Sequence, residues 1–224
     1  MSTGFSFSID PAVAALGIQV RGFLAHGLDN ASPSPGFESL RHAELIALKA
    51  SSSAQEIQAS AILAGYRRLH EKIGKTGRRW VSAPENLKRA LLDAPAFPSI
   101  NKVVDIYNLV SLQTSLAFGA HDLSKITGNV SLRLATGDEA YWPIGATEPG
   151  RVSRGEYAYC DDARDVICRL EIRQVEKTKV LPRTKDIFFI IQGHQDTPDT
   201  LLSQAQERLV RLLSEYAGGT YGAL

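Results

Sequence analysis

The spacing of apolar residues switches twice along this chain, and those switches limit the fold more than any other feature. At the start, FSFSID alternates at Phe5, Phe7 and Ile9, and GIQVRGFLAHGL alternates at Ile18, Val20 and Phe23, as two strands with a turn between them would. DNASPSPG is a clear loop, and helical spacing follows it. Residues 38–50 carry Leu40, Leu45 and Leu48, and residues 55–73 carry Ile57, Ala61, Leu63, Ala64, Leu69 and Ile73. Ser82 and Glu85 predict a capping box around Pro84, with Leu87, Leu91 and Leu92 behind it. Pro95 and Pro98 cannot continue a helix, and the next helical pattern runs from Asn101 to Leu116. Beyond it, NVSLRLAT, EYAYCDD, DVICRLEIR and DIFFIIQG read as strands. Residues 199–216 return to helix, with Leu202, Ala205, Leu209, Leu212 and Leu213 on one stripe behind Thr197 and Pro198. Strands clustered between helical blocks predict an α+β fold, one compact unit with an antiparallel or mixed sheet flanked by helices, not an alternating βαβ sheet.

Several function classes fall away. At 224 residues the chain needs no staples to bury a core. A formal charge of +1 excludes a globally basic nucleic-acid binder and leaves room for a local basic patch. No apolar run approaches the roughly 18–20 residues that span a bilayer. MSTGFSFSID has no basic stretch followed by an apolar one, so a cytoplasmic protein without a signal peptide is expected. The two cysteines, Cys160 and Cys168, flank DDARD; a hairpin there would put both on one face, as small buried hydrophobes or as a disulfide. GxSxG, GxxxxGK[ST], HExxH and GxGxxG are absent. The five histidines (His26, His42, His70, His121 and His194) lack metal-ligand spacing and read as surface or loop residues, so no metal or cofactor is expected.

The unusual element is the helix NKVVDIYNLVSLQTSL. Apolar residues cover most of its circumference, so it is a buried helix. Asn101, Asp105, Asn108, Ser111 and Ser115 nevertheless share one stripe about 120° wide at ~100° per residue. A polar stripe on a buried helix must meet water, a partner or a ligand. Short neutral hydrogen-bonders suit a pocket wall better than a solvated face, though a solvated edge is the plainer alternative. Gly119 and Gly128 bracket the turn-rich AHDLSKIT, where Asp122 can cap. Arg133, and the set Arg169, Glu171 and Arg173, each occupy the strand face opposite the apolar residues, where charges are ordinarily solvated. Glu156 and Thr184 fit turn and strand-entry positions. Asp138, Glu139, Asp161 and Asp162 read as turn residues. Arg67, Arg68, Lys72, Lys75, Arg78 and Arg79 form a basic run opposed by Glu71 alone, a local attractor for phosphate. Trp80 beside it suits a stacked base or an anchor at the edge of the core.

From Arg78 to Gly193 the ordered series INKVVDIYNLVSLQTSLAFGAHDLSKITGNVSLRLATGDEAYW, GEYAYCDD, VICRLEIRQ and TKVLPRTKDIFFIIQG resembles the editing (B3/B4) domain of the phenylalanyl-tRNA synthetase beta subunit, and still more its free-standing relatives. The resemblance implies residues 1–76 as a strand pair and helical extension packed on the core, and residues 77–224 as a B3/B4-like domain with the C-terminal amphipathic helix. It implies tRNA as partner and hydrolysis of mischarged aminoacyl-tRNA as activity, the proofreading that binding alone cannot supply. No class II ligase core is present in these residues, so aminoacylation is not expected. Asn108 matches an asparagine of the family's editing pocket and becomes the candidate catalytic donor. Thr184 matches the threonine that opens the pocket's last strand, and Gln192 falls near a residue that reads the substrate side chain. Candidate substrate contacts are therefore Asn101, Asp105, Ser111, Gly119, Arg133, Glu156, Thr184 and Gln192. Candidate RNA contacts are the six cations from Arg67 to Arg79. The synthetase has a histidine where this chain has Gly119, so specificity or activity can differ. The alternative reading is a non-catalytic module that binds tRNA or an amino-acid-like ligand.

Overall fold

A computed structural model describes residues 4–77 and 79–224. The elements run β1 (Phe7–Ile9), α1 (Pro11–Ala14), β2 (Ile18–His26), α2 (Pro35–Ala50), α3 (Ala54–Ala59), α4 (Ala61–Lys72), α5 (Ala83–Asp93), α6 (Lys102–Thr114) and β3 (Ala117–Asp122). A short 3-10 turn at Leu123–Lys125 leads to β4 (Val130–Leu134), β5 (Tyr157–Asp161), β6 (Val166–Arg169), β7 (Arg173–Gln174), β8 (Ile187–His194), α7 (Asp199–Tyr216) and β9 (Thr220–Ala223). Two mixed or antiparallel sheets result, one ordered β1-β4-β5-β6-β7 and the other β3-β8-β2-β9. The fold is α+β, as the period changes predict.

IFFIIQGH has no polar face, and the reason is its place. β8 lies between β3 and β2 in the second sheet, and all eight of its residues are buried. Ile187, Phe189 and Ile191 face a core shared with α6, α7 and α2. Phe188 and Ile190 face a second core built on β4, β5 and β6. A strand covered on both faces reads as a continuous apolar run. β2 pairs antiparallel with β8 from Ile18↔His194 to Ala25↔Ile187, so the expected division at residues 76 and 77 runs through this sheet. α7 buries Leu202, Ala205, Leu209, Leu212 and Leu213 on the stripe read from the sequence, and each buried leucine contributes roughly 1.5–3 kcal/mol.

Four local expectations are corrected. The helix expected over 55–73 is two helices, because Ser60 ends α3 and its hydroxyl caps α4 at the Leu63 amide. The capping box at Ser82 is not formed. The Ser82 side chain makes no cap bond, and the Glu85 carboxylate is taken by Arg67 at 3.0 Å and Arg89 at 2.6 Å. DVICRLEIR is not one strand. Leu170 sits at φ 53, in the left-handed region, and turns β6 into β7, so that Arg169 pairs with Arg173 and Cys168 with Gln174. A register shift at Tyr159/Cys160 also separates the cysteines. Cys168 lies opposite Tyr159, whereas Cys160 lies opposite Val166 on the other face, and both thiols are free.

Candidate functional site

The polar stripe of α6 divides among different tasks. Asn101 caps the helix, accepting from Val104 N at 3.1 Å and donating to Val180 O at 3.1 Å. Asp105 ties down the preceding turn, accepting from the Ile100 amide at 3.0 Å and from the Ser99 hydroxyl, with Arg41 at 3.7 Å. Ser111 donates to Leu116 O at 2.7 Å. Ser115 closes the helix in a left-handed conformation. The Asn108 side chain has no hydrogen bond to any described residue and lies half-buried on the wall of a cavity of about 390 Å³.

That cavity lies between α5, α6, the β3–β8 pair, β5 and the β6–β7 turn. Its apolar walls include Leu87, Tyr107, Phe118, Tyr159 and Ile190, and its polar groups include Asn86, Asn108, Gln174, Gln192, Glu171 and Arg173. Of the sequence candidates, Asn108, Ser111, Gly119 and Gln192 meet here. Gly119 matters as an absence of side chain: a Cβ there would sit 3.3 Å from His121 Nε2 and 3.4 Å from Gln174 Nε2. His121 itself is fully buried, its Nδ1 is 2.9 Å from Thr178 Oγ1, and its Nε2 has no partner among the described residues. Burial pushes its pKa down to about 3, so it is neutral at physiological pH.

The cavity floor is a buried polar network that strand alternation hid. The Leu170 turn swings Glu171 inward. Its Oε1 lies 2.5 Å from His70 Nε2, and its Oε2 accepts from Gln192 Nε2 at 3.1 Å and from the Tyr157 hydroxyl. Tyr159 donates to Gln192 Oε1 at 2.5 Å, and Tyr66 donates to Gln192 O while accepting from Ala117 N at 3.0 Å. His70 Nδ1 lies 2.9 Å from the Trp80 carbonyl, an acceptor only, so both ring nitrogens face acceptors. Burial alone would lower the His70 pKa, but the Glu171 charge and hydrogen bond outweigh it and hold the pKa above its ordinary value. Burial alone would raise Glu171, yet the His70 charge and the bonds from His70 and Tyr157 keep it below the usual carboxylate range. The pair is therefore imidazolium and carboxylate. α4, which carries His70, crosses β8 so closely that a Cβ at Gly65 would lie 2.0 Å from the His194 ring.

The other sequence candidates lie elsewhere. Arg133 pairs with Glu139 at 2.7 Å. Glu156 is buried between Arg169 at 2.6 Å and Lys75 at 2.7 Å, which outweigh its burial and hold its pKa at about 2. Thr184 donates to Asp122 Oδ2 at 2.8 Å in a turn, and Asp122 caps the 3-10 turn as expected. The basic segment is largely spent on the protein itself. Arg67 meets Glu85 at 3.0 Å, Arg68 meets Asp196 at 2.7 Å, and Lys75 meets Glu156 at 2.7 Å. Lys72 donates to Leu16 O and Gln195 Oε1. Arg79 lies 5.0 Å above the Trp80 ring, and Arg78 lies outside the described residues. Trp80 is also ringed by Lys75 at 4.8 Å and Arg169 at 4.7 Å, the anchor role of the two expected. Among the described residues no three His, Cys, Asp or Glu side chains converge as metal ligands, and no helix is long and apolar enough to cross a membrane.

The chain is similar to known proteins in sequence and in fold. Over 109 residues the chain is 31% identical to the phenylalanine–tRNA ligase beta subunit of Mycoplasma genitalium, a match covering 48% of this chain and 13% of that subunit. An N-terminal fragment of the phenylalanyl-tRNA synthetase beta subunit from Pyrococcus horikoshii superposes with a TM-score of 0.54 at 15% identity, covering 98% of this chain and 50% of the fragment. The chain thus spans a small part of one relative and half of the other. The B3/4 domain model matches residues 65–218, from within α4 through α7, a stretch that includes every residue of the cavity wall and floor named above, and the chain belongs to the B3/4 domain family.

Proposed function

We propose that the chain hydrolyses mischarged aminoacyl-tRNA in trans, in the cytoplasm, with the aminoacyl end of the tRNA seated in the cavity beside Asn108. Water adds to the ester carbonyl, the bond from the carbonyl carbon to the ribose oxygen breaks, and the water's proton ends on the released ribose hydroxyl. An aminoacyl ester is already activated, so the protein need only position water and offer a donor to the developing oxyanion. The observation that carries this reading is Asn108, whose side chain has no hydrogen bond to any described residue and opens to a cavity large enough for an amino acid, whereas those of Asn101, Asp105 and Ser111 are bonded within the protein. The names of the two beta-subunit relatives supply the tRNA.

The test is single-turnover deacylation of a panel of mischarged tRNAs by wild type and Asn108→Ala. Losing one oxyanion donor costs about 3–4 kcal/mol, so turnover should fall roughly 100–1000-fold with the melting temperature nearly unchanged. A variant that melts early and hydrolyses normally overturns the assignment. A non-catalytic binding module is the second reading. It is favoured by Glu171, the cavity's carboxylate, being engaged by three partners and so not free as a base. tRNA binding by wild type without hydrolysis of any mischarged species would establish it.

A further inference from the structure

A second concavity, of about 370 Å³, adjoins the first and shares Ile172 and Arg173 with it. Four guanidiniums face it: Arg79, Arg151, Arg169 and Arg173. No carboxylate lines it, and its remaining walls include Trp80, Tyr141 and Leu170. Arg169 is neutralised by a two-pronged bond to buried Glu156 at 2.6 and 2.8 Å. The other three are not. Arg173 donates to Ile144 O at 2.7 Å, Arg79 lies over Trp80, and Arg151 is exposed; none of them meets a carboxylate among the described residues. The contrast with residues 67–75 is direct, because there Arg67, Arg68 and Lys75 each have an acidic partner. Uncompensated guanidiniums gathered in one hollow repel one another, and their planar forks match phosphate oxygens.

We infer that this arginine groove holds the phosphodiester backbone of the RNA strand whose charged end occupies the neighbouring cavity. The inference rests on the proposed function for the identity of that strand. Arg173, which lines both hollows, is the joint between the two, where a ligand extending from one into the other would pass. The residues that collect the charge come from the segment before α5, the 141–151 loop and the β6–β7 turn, so of the four only Arg79 belongs to the basic run visible in the sequence.

The experiment is fluorescence-anisotropy titration of deacylated tRNA with the full chain between 50 and 200 mM salt. Three available guanidiniums predict a slope of log K against log salt of about −2, at roughly −0.7 for each single-strand phosphate contact, or about a 16-fold loss of affinity across that range. Arg151→Gln should reduce the slope by about 0.7, and Arg151→Glu with Arg173→Glu should lower affinity at least about tenfold and remove about 1.4 of the slope. Arg68→Glu, at a cation already paired with Asp196, should leave the slope unchanged. Wild-type slopes in both Arg151→Gln and the double variant overturn the inference, and Arg151→Gln decides if the double variant does not fold. Tight binding of inorganic tripolyphosphate with no binding of tRNA also overturns it. Groove-dependent tRNA binding without hydrolysis leaves the groove standing and removes the enzymatic reading. Hydrolysis with an unchanged KM in the double variant does the reverse.

Discussion

The His70–Glu171 pair can be broken from either side, and the two breaks carry different costs. Both side chains are 2% exposed, so solvent screens neither. His70→Leu removes the cation and leaves Glu171 buried with only the Tyr157 hydroxyl and the Gln192 amide as donors. Breaking a buried pair from one side costs about 3–5 kcal/mol, because the remaining charge is uncompensated. Glu171→Gln differs. A neutral His70 keeps Nδ1–H on the Trp80 carbonyl and accepts the new amide N–H at Nε2, while the amide oxygen still receives Tyr157 and Gln192. Every bond is retained in neutral form, and the charged-to-neutral difference is about 1 kcal/mol. Acid and base separate the variants further. In wild type, the raised His70 pKa gives stability that is complete below 6.5 and declines as pH rises from there, and the lowered Glu171 pKa gives stability that is complete above 4.5 and declines as pH falls from there. In His70→Leu the lone buried carboxylate has a raised pKa instead, so the variant gains stability as pH falls from 7 towards 4.5 while this pair's contribution in wild type is flat below 6.5. Urea denaturation at pH 5, 6 and 7 reads both effects. Equal losses in the two variants, or a His70→Leu deficit that does not shrink on acidification, would refute the ion-pair assignment.

Other outcomes follow from the same geometry. Gly119→Ala should fold, since the backbone there is not left-handed, but its methyl would crowd His121 Nε2 and Gln174 Nε2 at 3.3 and 3.4 Å. A destabilisation of about 1–3 kcal/mol and weaker amino-acid binding are expected, read by thermal unfolding and isothermal titration. His121, neutral in the fold, should make the protein acid-sensitive: stability is lost as pH falls from 6.5 towards about 3. Replacing it by Gln should remove up to one proton from that dependence, about 1.4 kcal/mol per pH unit, in urea titrations between pH 6 and 4.

What was legible in the sequence was local. α7 announces itself because one face carries its core contribution, and α6 because apolar residues surround all but one polar stripe; a helix displays its faces in its own spacing. Asn108, which both the polar stripe and the family resemblance single out, lines the cavity. Glu171 was not legible, because alternation assigns it to a solvated face until one residue, Leu170, takes a left-handed turn that no glycine or asparagine advertises. Three cations of the basic run, Arg67, Arg68 and Lys75, have acidic partners that the run itself does not show. Those partners, Glu85, Asp196 and Glu156, sit on α5, after β8 and ahead of β5, where only the tertiary fold reveals that these three charges are paired. The parallel pairing of β1 with β4 leaves no mark in either strand.

The position of β8 has a consequence for how the molecule comes into being. Its two neighbours in the sheet are β2, near the start of the chain, and β3, near its middle. Until β8 has left the ribosome, β2 and β3 have no partner to join them, and both cores lack their shared wall. Closing so long a loop demands entropy before any contact rewards it. Helices α2 to α6 can form as they are made, but the nascent chain must hold an apolar strand, β2, unpaired through most of synthesis. A chaperone that shields strand edges would act on this protein in that interval, and truncation anywhere before residue 187 would leave an aggregation-prone fragment in place of a smaller working domain.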